Sequence, residues 1–203
     1  SGFDGLGALD TIAAGEGIPF NGTSGFQDVG RAVSGIGDIN SDGFDDFIIT
    51  AARLTATGKA YVIFGDTTAN LQALSANIAN QTGGYANGLN SLDGTNGGYI
   101  LDNAGGFSST FGASAKAVGD FNGDGYDDFI VGAPTGTNEA YVVYGRPDGT
   151  FSNLNMRNDF TGTGADVSFL ANGFMIGLEG GVGADVASAG DVNGDGYDDV
   201  IVG

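Results

Sequence analysis

Apolar positions in this chain come in short runs without alternation. Residues 47–50, 129–132 and 200–202 are apolar and partly β-branched, the pattern of strands buried on both faces. Upstream of each lies a stretch of small residues, 29–37, 111–119 and 182–190. Small side chains predict short strands at a place where several strands converge closely. Downstream lie the mixed aromatic and aliphatic runs 60–65 and 140–145, each ending in glycine. A last strand is predicted near 98–101 and 173–176, so each unit has four strands. The longest polar connection is 66–96, where Leu71, Leu74 and Ile78 are spaced for a short helix of a turn or two. A surface loop is the alternative there. The units recur: 82 residues separate Asp38 from Asp120, and 71 separate Asp120 from Asp191. Four-stranded antiparallel units in series, with small residues innermost, predict an all-β fold of β-propeller type.

The turn between the first two strands of each unit carries the chemistry. It reads Asp120-Phe121-Asn122-Gly123-Asp124-Gly125-Tyr126-Asp127-Asp128 in the second copy, and starts at Asp38 and Asp191 in the others. Oxygen-bearing side chains stand at positions 1, 3, 5 and 9, and glycine at 6. Calcium takes six to eight hard oxygens in a flexible shell, and alternate residues of a tight loop can face one centre. The expected ligands are the side chains of Asp38, Asn40, Asp42 and Asp46, of Asp120, Asn122, Asp124 and Asp128, and of Asp191, Asn193, Asp195 and Asp199. The position-7 carbonyls of Phe44, Tyr126 and Tyr197 join them, giving about three calcium ions, one per loop. An EF-hand loop opens the same way, but it needs a glutamate at position 12 and flanking helices. Position 12 here is Ile49, Val131 or Val202. The position-8 residues Asp45, Asp127 and Asp198 are expected to face solvent or cap backbone amides.

Composition sharpens this picture. The formal net charge is −19, with six basic residues against 25 acidic ones. Such a chain repels a nucleic-acid backbone and an anionic membrane surface. The absence of cysteine and histidine excludes the usual zinc sites, cysteine nucleophiles and Ser–His–Asp triads. No apolar run is long enough to span a membrane, and the first residues lack a signal-peptide pattern. Forty glycines against three prolines suit an all-β chain rich in turns.

The repeat resembles the FG-GAP family, the calcium-binding blades of integrin α-subunit N-terminal propellers and of many bacterial surface proteins. Phe111-Gly112 supplies the "FG", replaced by Val29-Gly30 and Val182-Gly183 in the other copies. Gly132-Ala133-Pro134 supplies the "GAP", from which Thr50-Ala51-Ala52 departs. Phe64-Gly65 and Tyr144-Gly145 at the ends of the third strands also fit. The resemblance implies a blade fold with one calcium between the first and second strands of each blade. On this basis residues 1–26 end a preceding blade, 27–103 and 104–178 are blades, and 179–203 begin a further one. All belong to one propeller domain, which is incomplete, because closed propellers hold about four to eight blades.

Function divides into three alternatives. The first is a calcium-binding propeller segment of an extracellular or cell-surface protein, acting in adhesion by binding a protein or glycan. The second is part of a secreted polysaccharide-active lyase or a phospholipase-like enzyme, since similar propellers occur there. The third is a structural spacer. The first is preferred: Glu16, Glu139, Glu179, Lys59 and Lys116 stand in no recognisable catalytic context. No catalytic residue and no cofactor other than calcium is expected. Partners are an unnamed protein or glycan and the remaining blades of the parent propeller, with no nucleic acid and no membrane insertion. Tyr85, Phe107 and Phe151 are the expected exposed aromatic contacts, and Arg146 and Arg157 are expected at the solvated surface.

Overall fold

The computed structural model describes residues 29–52, 58–80, 89–102, 110–136, 138–147, 150–156, 168–170, 172–177 and 182–203. The segment 1–26 and the residues Tyr85, Phe107 and Arg157 lie outside them. In chain order the elements are β1 (Val29–Gly37), β2 (Asp46–Ala51), β3 (Lys59–Ile63), α1 (Thr68–Asn80), β4 (Gly98–Asp102), β5 (Ser114–Gly119), β6 (Asp128–Ala133), β7 (Glu139–Val143), β8 (Leu154–Asn155), β9 (Ser168–Leu170), β10 (Gly173–Gly177), β11 (Val186–Gly190) and β12 (Asp199–Val202).

The strands form three sheets, ordered β1-β2-β3-β4-β8, β5-β6-β7-β10-β9 and β11-β12. All pairings are antiparallel except β4 with β8. The fold is all-β, a partial β-propeller without a closed barrel. The predicted four strands are present in each of the first two blades. Each of these two sheets also has a fifth strand that the hydrophobic pattern did not announce. Two or three residues are too short to show a period. β8 arrives from the second blade's connection, and Asn153 beside it stands in for a backbone group. Its Oδ1 accepts the Ile100 amide at 2.8 Å and its Nδ2 donates to the Leu92 carbonyl at 2.8 Å. The helix, at 13 residues, is longer than the turn or two expected.

Register decides which residues share a face. In the first blade Val33, Ile49, Tyr61 and Ile100 align across β1–β4, and Ser34, Ile48, Val62 and Tyr99 align on the opposite face. The second blade repeats this, with Ala115, Val131, Tyr141 and Met175 on one face and Lys116, Ile130, Val142 and Phe174 on the other. Two blade faces meet in the main core, where Ile48, Val62, Tyr99 and Leu101 pack with Val131, Tyr141 and Met175. A second core joins Ile130, Val142 and Phe174 of the second blade to Val186, Val200 and Val202 of β11–β12. Ile201 points away from that core and is 59% exposed. The remaining face of the first blade is covered by α1: Leu71, Leu74 and Ile78 pack with Tyr61, Ile63 and Ile100. The cover stops short of the inner strand, where Val33 is 62% exposed.

The inner strands β1, β5 and β11 lie side by side, which explains their small residues. Thr50 Oγ1 donates to the Gly112 carbonyl at 2.6 Å, and Ser114 Oγ donates to the Gly183 carbonyl at 3.0 Å. Each bond ties a blade to the glycine that opens the next.

Candidate metal centre

Each loop after an inner strand is wound by hydrogen bonds to its own side chains. In the first, Asp38 accepts the Asp42 amide on Oδ1 at 3.0 Å and the Gly43 amide on Oδ2 at 2.9 Å. Asn40 Oδ1 accepts the Asp42 amide at 3.0 Å, and Asp42 Oδ1 accepts the Phe44 amide at 2.9 Å. The second loop repeats all four bonds with Asp120, Asn122 and Asp124, ending at the Tyr126 amide. The third repeats them with Asp191, Asn193 and Asp195, ending at the Tyr197 amide. The shared spacing therefore produces one shared conformation.

Position 4 must adopt a left-handed backbone in that conformation. Gly123 and Gly194 do so at φ 75° and 77°, and Ser41 does so at φ 59°. A non-glycine residue held there costs about 1–3 kcal/mol. Ser41→Gly is therefore expected to stabilise the protein by roughly 0.5–1 kcal/mol, after the larger unfolded-state entropy of glycine is subtracted. A higher melting temperature checks this; an unchanged or lower one refutes it.

Two of the position-9 aspartates, Asp46 and Asp128, differ from the other loop carboxylates because they are buried. Asp46 is 1% exposed and Asp128 is 0% exposed. Asp46 staples the loop to the sheet: Oδ2 accepts the Ile39 amide at 2.9 Å and Oδ1 the Gly65 amide at 2.6 Å. Asp128 does the same for Phe121, at 2.9 Å, and Gly145, at 2.8 Å. Asp199 accepts the Val192 amide at 2.9 Å in a more open setting. Burial pushes the Asp46 and Asp128 carboxyls up to about 7, against the pull of their backbone amides; the charges of Asp42 and Asp38, and of Asp124, push the same way. The exposed Asp191 is held below the usual carboxylate range by amides, that of Gly196 foremost.

A buried carboxylate calls for a positive partner. Among the described residues the one ion pair is Lys59–Asp102, at 3.0 Å, so neither Asp46 nor Asp128 has a cationic side chain in contact. No group of three or more acidic side chains among the described residues is arranged as a cage for a metal ion. The loop carboxylates are turned to backbone amides instead. Each ionised carboxylate has about four lone-pair sites, so amide bonds leave capacity for a cation. The donor set is wholly hard oxygen, with an amide oxygen at position 3 and a carbonyl at position 7. These residues fit a hard divalent cation in donor type and in their spacing along the sequence.

Other expected contacts fall elsewhere. Phe151 is not exposed: at 4% exposure it fills the space between blades, its ring centroid 4.9 Å from Phe64 and 5.1 Å from Tyr99. An aromatic in a connection is drawn inward when a neighbouring sheet offers an apolar slot. Arg146 is not solvated either. Its guanidinium lies 4.9 Å above the Phe151 ring and donates to Asn172 Oδ1. Glu139 accepts the Tyr141 hydroxyl. A recess of 460 Å³ opens beside the first loop, lined by Asn40, Asp42, Phe64, Asn70, Asn77 and Thr95 among others. Sequence did not reveal it, because α1 and the 94–97 turn come from one distant connection. A larger recess of 680 Å³, by Val29, Ala52 and Ala184, carries little polar chemistry beyond Arg31 and the Thr110–Thr135 hydroxyl pair.

Comparison with protein families identifies FG-GAP repeats at residues 29–63 and 111–145. Each match runs from the inner strand through the wound loop to the third strand of a blade. FG-GAP repeat domains are typically non-catalytic. No helix among the described residues is long and apolar enough to cross a membrane.

Proposed function

We propose that this chain, with its two FG-GAP repeats, is a calcium-stabilised propeller segment of an extracellular or cell-surface protein that binds a protein or glycan in adhesion. The observation that supports it most is the pair of buried aspartates, Asp46 and Asp128, which close two identically wound loops without a cationic side chain in contact. Calcium would neutralise the acids that each loop carries on positions 1, 5 and 9. The chain's own residues hold the loop shape through the amide bonds, and the position-9 aspartate joins the first strand's end to the second strand's start and to the end of the third. Asp38, Asn40, Asp42, Asp46 and the Phe44 carbonyl would hold the first ion, with their counterparts in the second and third loops.

Dissociation constants near ~10⁻⁴ M belong to extracellular modules, and at about 1 mM free calcium each such site adds roughly 1.4 kcal/mol. The extracellular assignment is supported by the FG-GAP repeats, which are typical of extracellular or surface proteins. The test is a calorimetric calcium titration of the chelator-stripped chain, paired with thermal melts. About three sites and a melting temperature that rises with calcium are expected. Heats indistinguishable from dilution would refute calcium binding, and binding with an unmoved melting temperature would refute its structural role.

The titration has a pH signature. Asp46 and Asp128, with carboxyls raised to about 7, bind calcium only as carboxylates. Apparent affinity at these loops should fall about tenfold per pH unit below about 7, one proton being released per ion. In the calcium-free protein the sign reverses. Their contribution to stability is fully present below the ordinary aspartate value and is lost as pH rises through about 7. Melts from pH 4 to 8 with and without calcium read both trends. Affinity that stays flat between pH 5 and 7 would remove these two side chains from the ligand set.

For the partner, the recess beside the first loop supports a hydroxyl-rich ligand. Its rim is amide, carboxylate and hydroxyl, and Phe64 contributes an apolar wall. The β11–β12 face around Ile201 fits a further blade of the parent propeller.

A further inference from the structure

We infer that the first two loops are energetically coupled, and that Asp127 is the positioning residue that couples them. This rests on the calcium-binding function proposed above. Asp127 occupies position 8 of the second loop, between the Tyr126 carbonyl and the Asp128 carboxylate, and is itself no ligand. Its side chain leaves its own blade. Asp127 Oδ2 accepts the amide of Asp38, position 1 of the first loop, at 2.9 Å across 89 residues of sequence. Gly37, the residue before it, keeps the slot open, because a Cβ there would overlap the Asp127 carboxylate. The next pair of blades repeats the approach: a Cβ on Gly119 would overlap the Asp198 carboxylate, and one on Gly123 would lie 2.5 Å from the Tyr197 ring.

A second, main-chain path runs parallel to this bond. Gly145 donates to Asp128 Oδ1 at 2.8 Å, and its neighbour Arg146 donates its amide to the Ile39 carbonyl at 2.8 Å. The Ile39 amide in turn donates to Asp46 Oδ2 at 2.9 Å. The position-9 side chain of one loop is thus linked to that of the next by consecutive hydrogen bonds. A cation in the second loop fixes residues 126 and 128 and so fixes Asp127 between them. A fixed Asp127 holds the Asp38 amide and with it the start of the first loop. Ordering that one site has already achieved need not be repeated at the other, which is positive cooperativity.

The test is a site-resolved calcium titration of the full chain, followed by NMR at the amides of Gly43, Gly125 and Gly196. Disabling the second loop with Asp124→Ala should weaken the first loop about tenfold. In an Asp127→Ala background the same change should alter the first loop by no more than about twofold, and Asp127→Asn, which keeps an acceptor oxygen, should preserve the coupling. Asp127→Ser, also too short to reach Asp38, gives the same comparison where alanine does not fold. A first loop indifferent to Asp124→Ala, or coupling undiminished by loss of Asp127, would overturn the inference while leaving calcium binding intact. A native chain that binds no calcium at any loop would overturn both.

Discussion

Asp128→Ala should lower stability by roughly 3 kcal/mol net, because it strands one buried amide at about 1–3 kcal/mol and two half-buried ones at somewhat less each. Those amides belong to Phe121, Asn122 and Gly145, all of which donate to the Asp128 carboxylate. Part of the loss is offset, because a carboxyl raised to about 7 by burial already carries a desolvation cost that alanine removes. For a chain of this size the remainder corresponds to a fall in Tm of about 6–12 °C. In calcium the fall should be larger, because the second loop also loses its buried ligand. Asp199→Ala is the internal control. In its more open loop Asp199 accepts the Val192 amide alone among the described residues, and its loss should cost about 1 kcal/mol. Melts of the two variants with and without calcium decide the matter. Equal, small losses at both positions would show that burial of Asp128 does not set its importance.

Gly132→Ala acts on the packing of blades rather than on a loop. A Cβ at Gly132 would overlap the Gly183 carbonyl oxygen and lie 2.5 Å from Ser114 Oγ and 2.8 Å from the Gly183 carbonyl carbon. Two of these atoms are backbone, and Ser114 is held by its own bond to the same carbonyl, so no side chain can swing away. The third sheet must move off the second, at a cost of about 3 kcal/mol. Urea denaturation should show that loss, and hydrogen exchange should place it first in β11 and β12. Gly35→Ala provides the contrast. A Cβ there meets nothing within 4 Å, and the change should stay within about 0.5 kcal/mol. If both variants lost little, the close approach of blades at Gly132 would be relaxed in solution.

The sequence was most informative where local spacing alone determines structure. Oxygen side chains at positions 1, 3 and 5, with glycine at 6, dictate a wound loop whatever surrounds it, and the same four winding bonds recur in all three loops. Doubly apolar runs such as β6, buried throughout, announced central strands for a similar reason. Apart from the length of α1, what the sequence did not show is tertiary. Phe151 and Arg146 sit in a connection and were expected outside, but a slot between two blades takes one ring and stacks one guanidinium upon it. Asp127 was expected to face solvent or cap an amide. It caps one, yet the amide belongs to a loop 89 residues away, which no local pattern encodes. The short strands β8 and β9 exist because open sheet edges recruit whatever chain passes by.

Helix α1 gives the series of blades a direction. It lies over Tyr61 and Ile100, and the matching residues of the second blade, Tyr141 and Met175, are covered by the first blade itself. The helix therefore stands where a neighbouring sheet would stand. Leu71, Leu74 and Ile78 occupy the part of that face over β3 and β4, whereas the Ile201 side carries nothing comparable among the described residues. Among the described residues the two outer faces of the series are therefore unlike: one is dressed by a helix and the other is bare around Ile201.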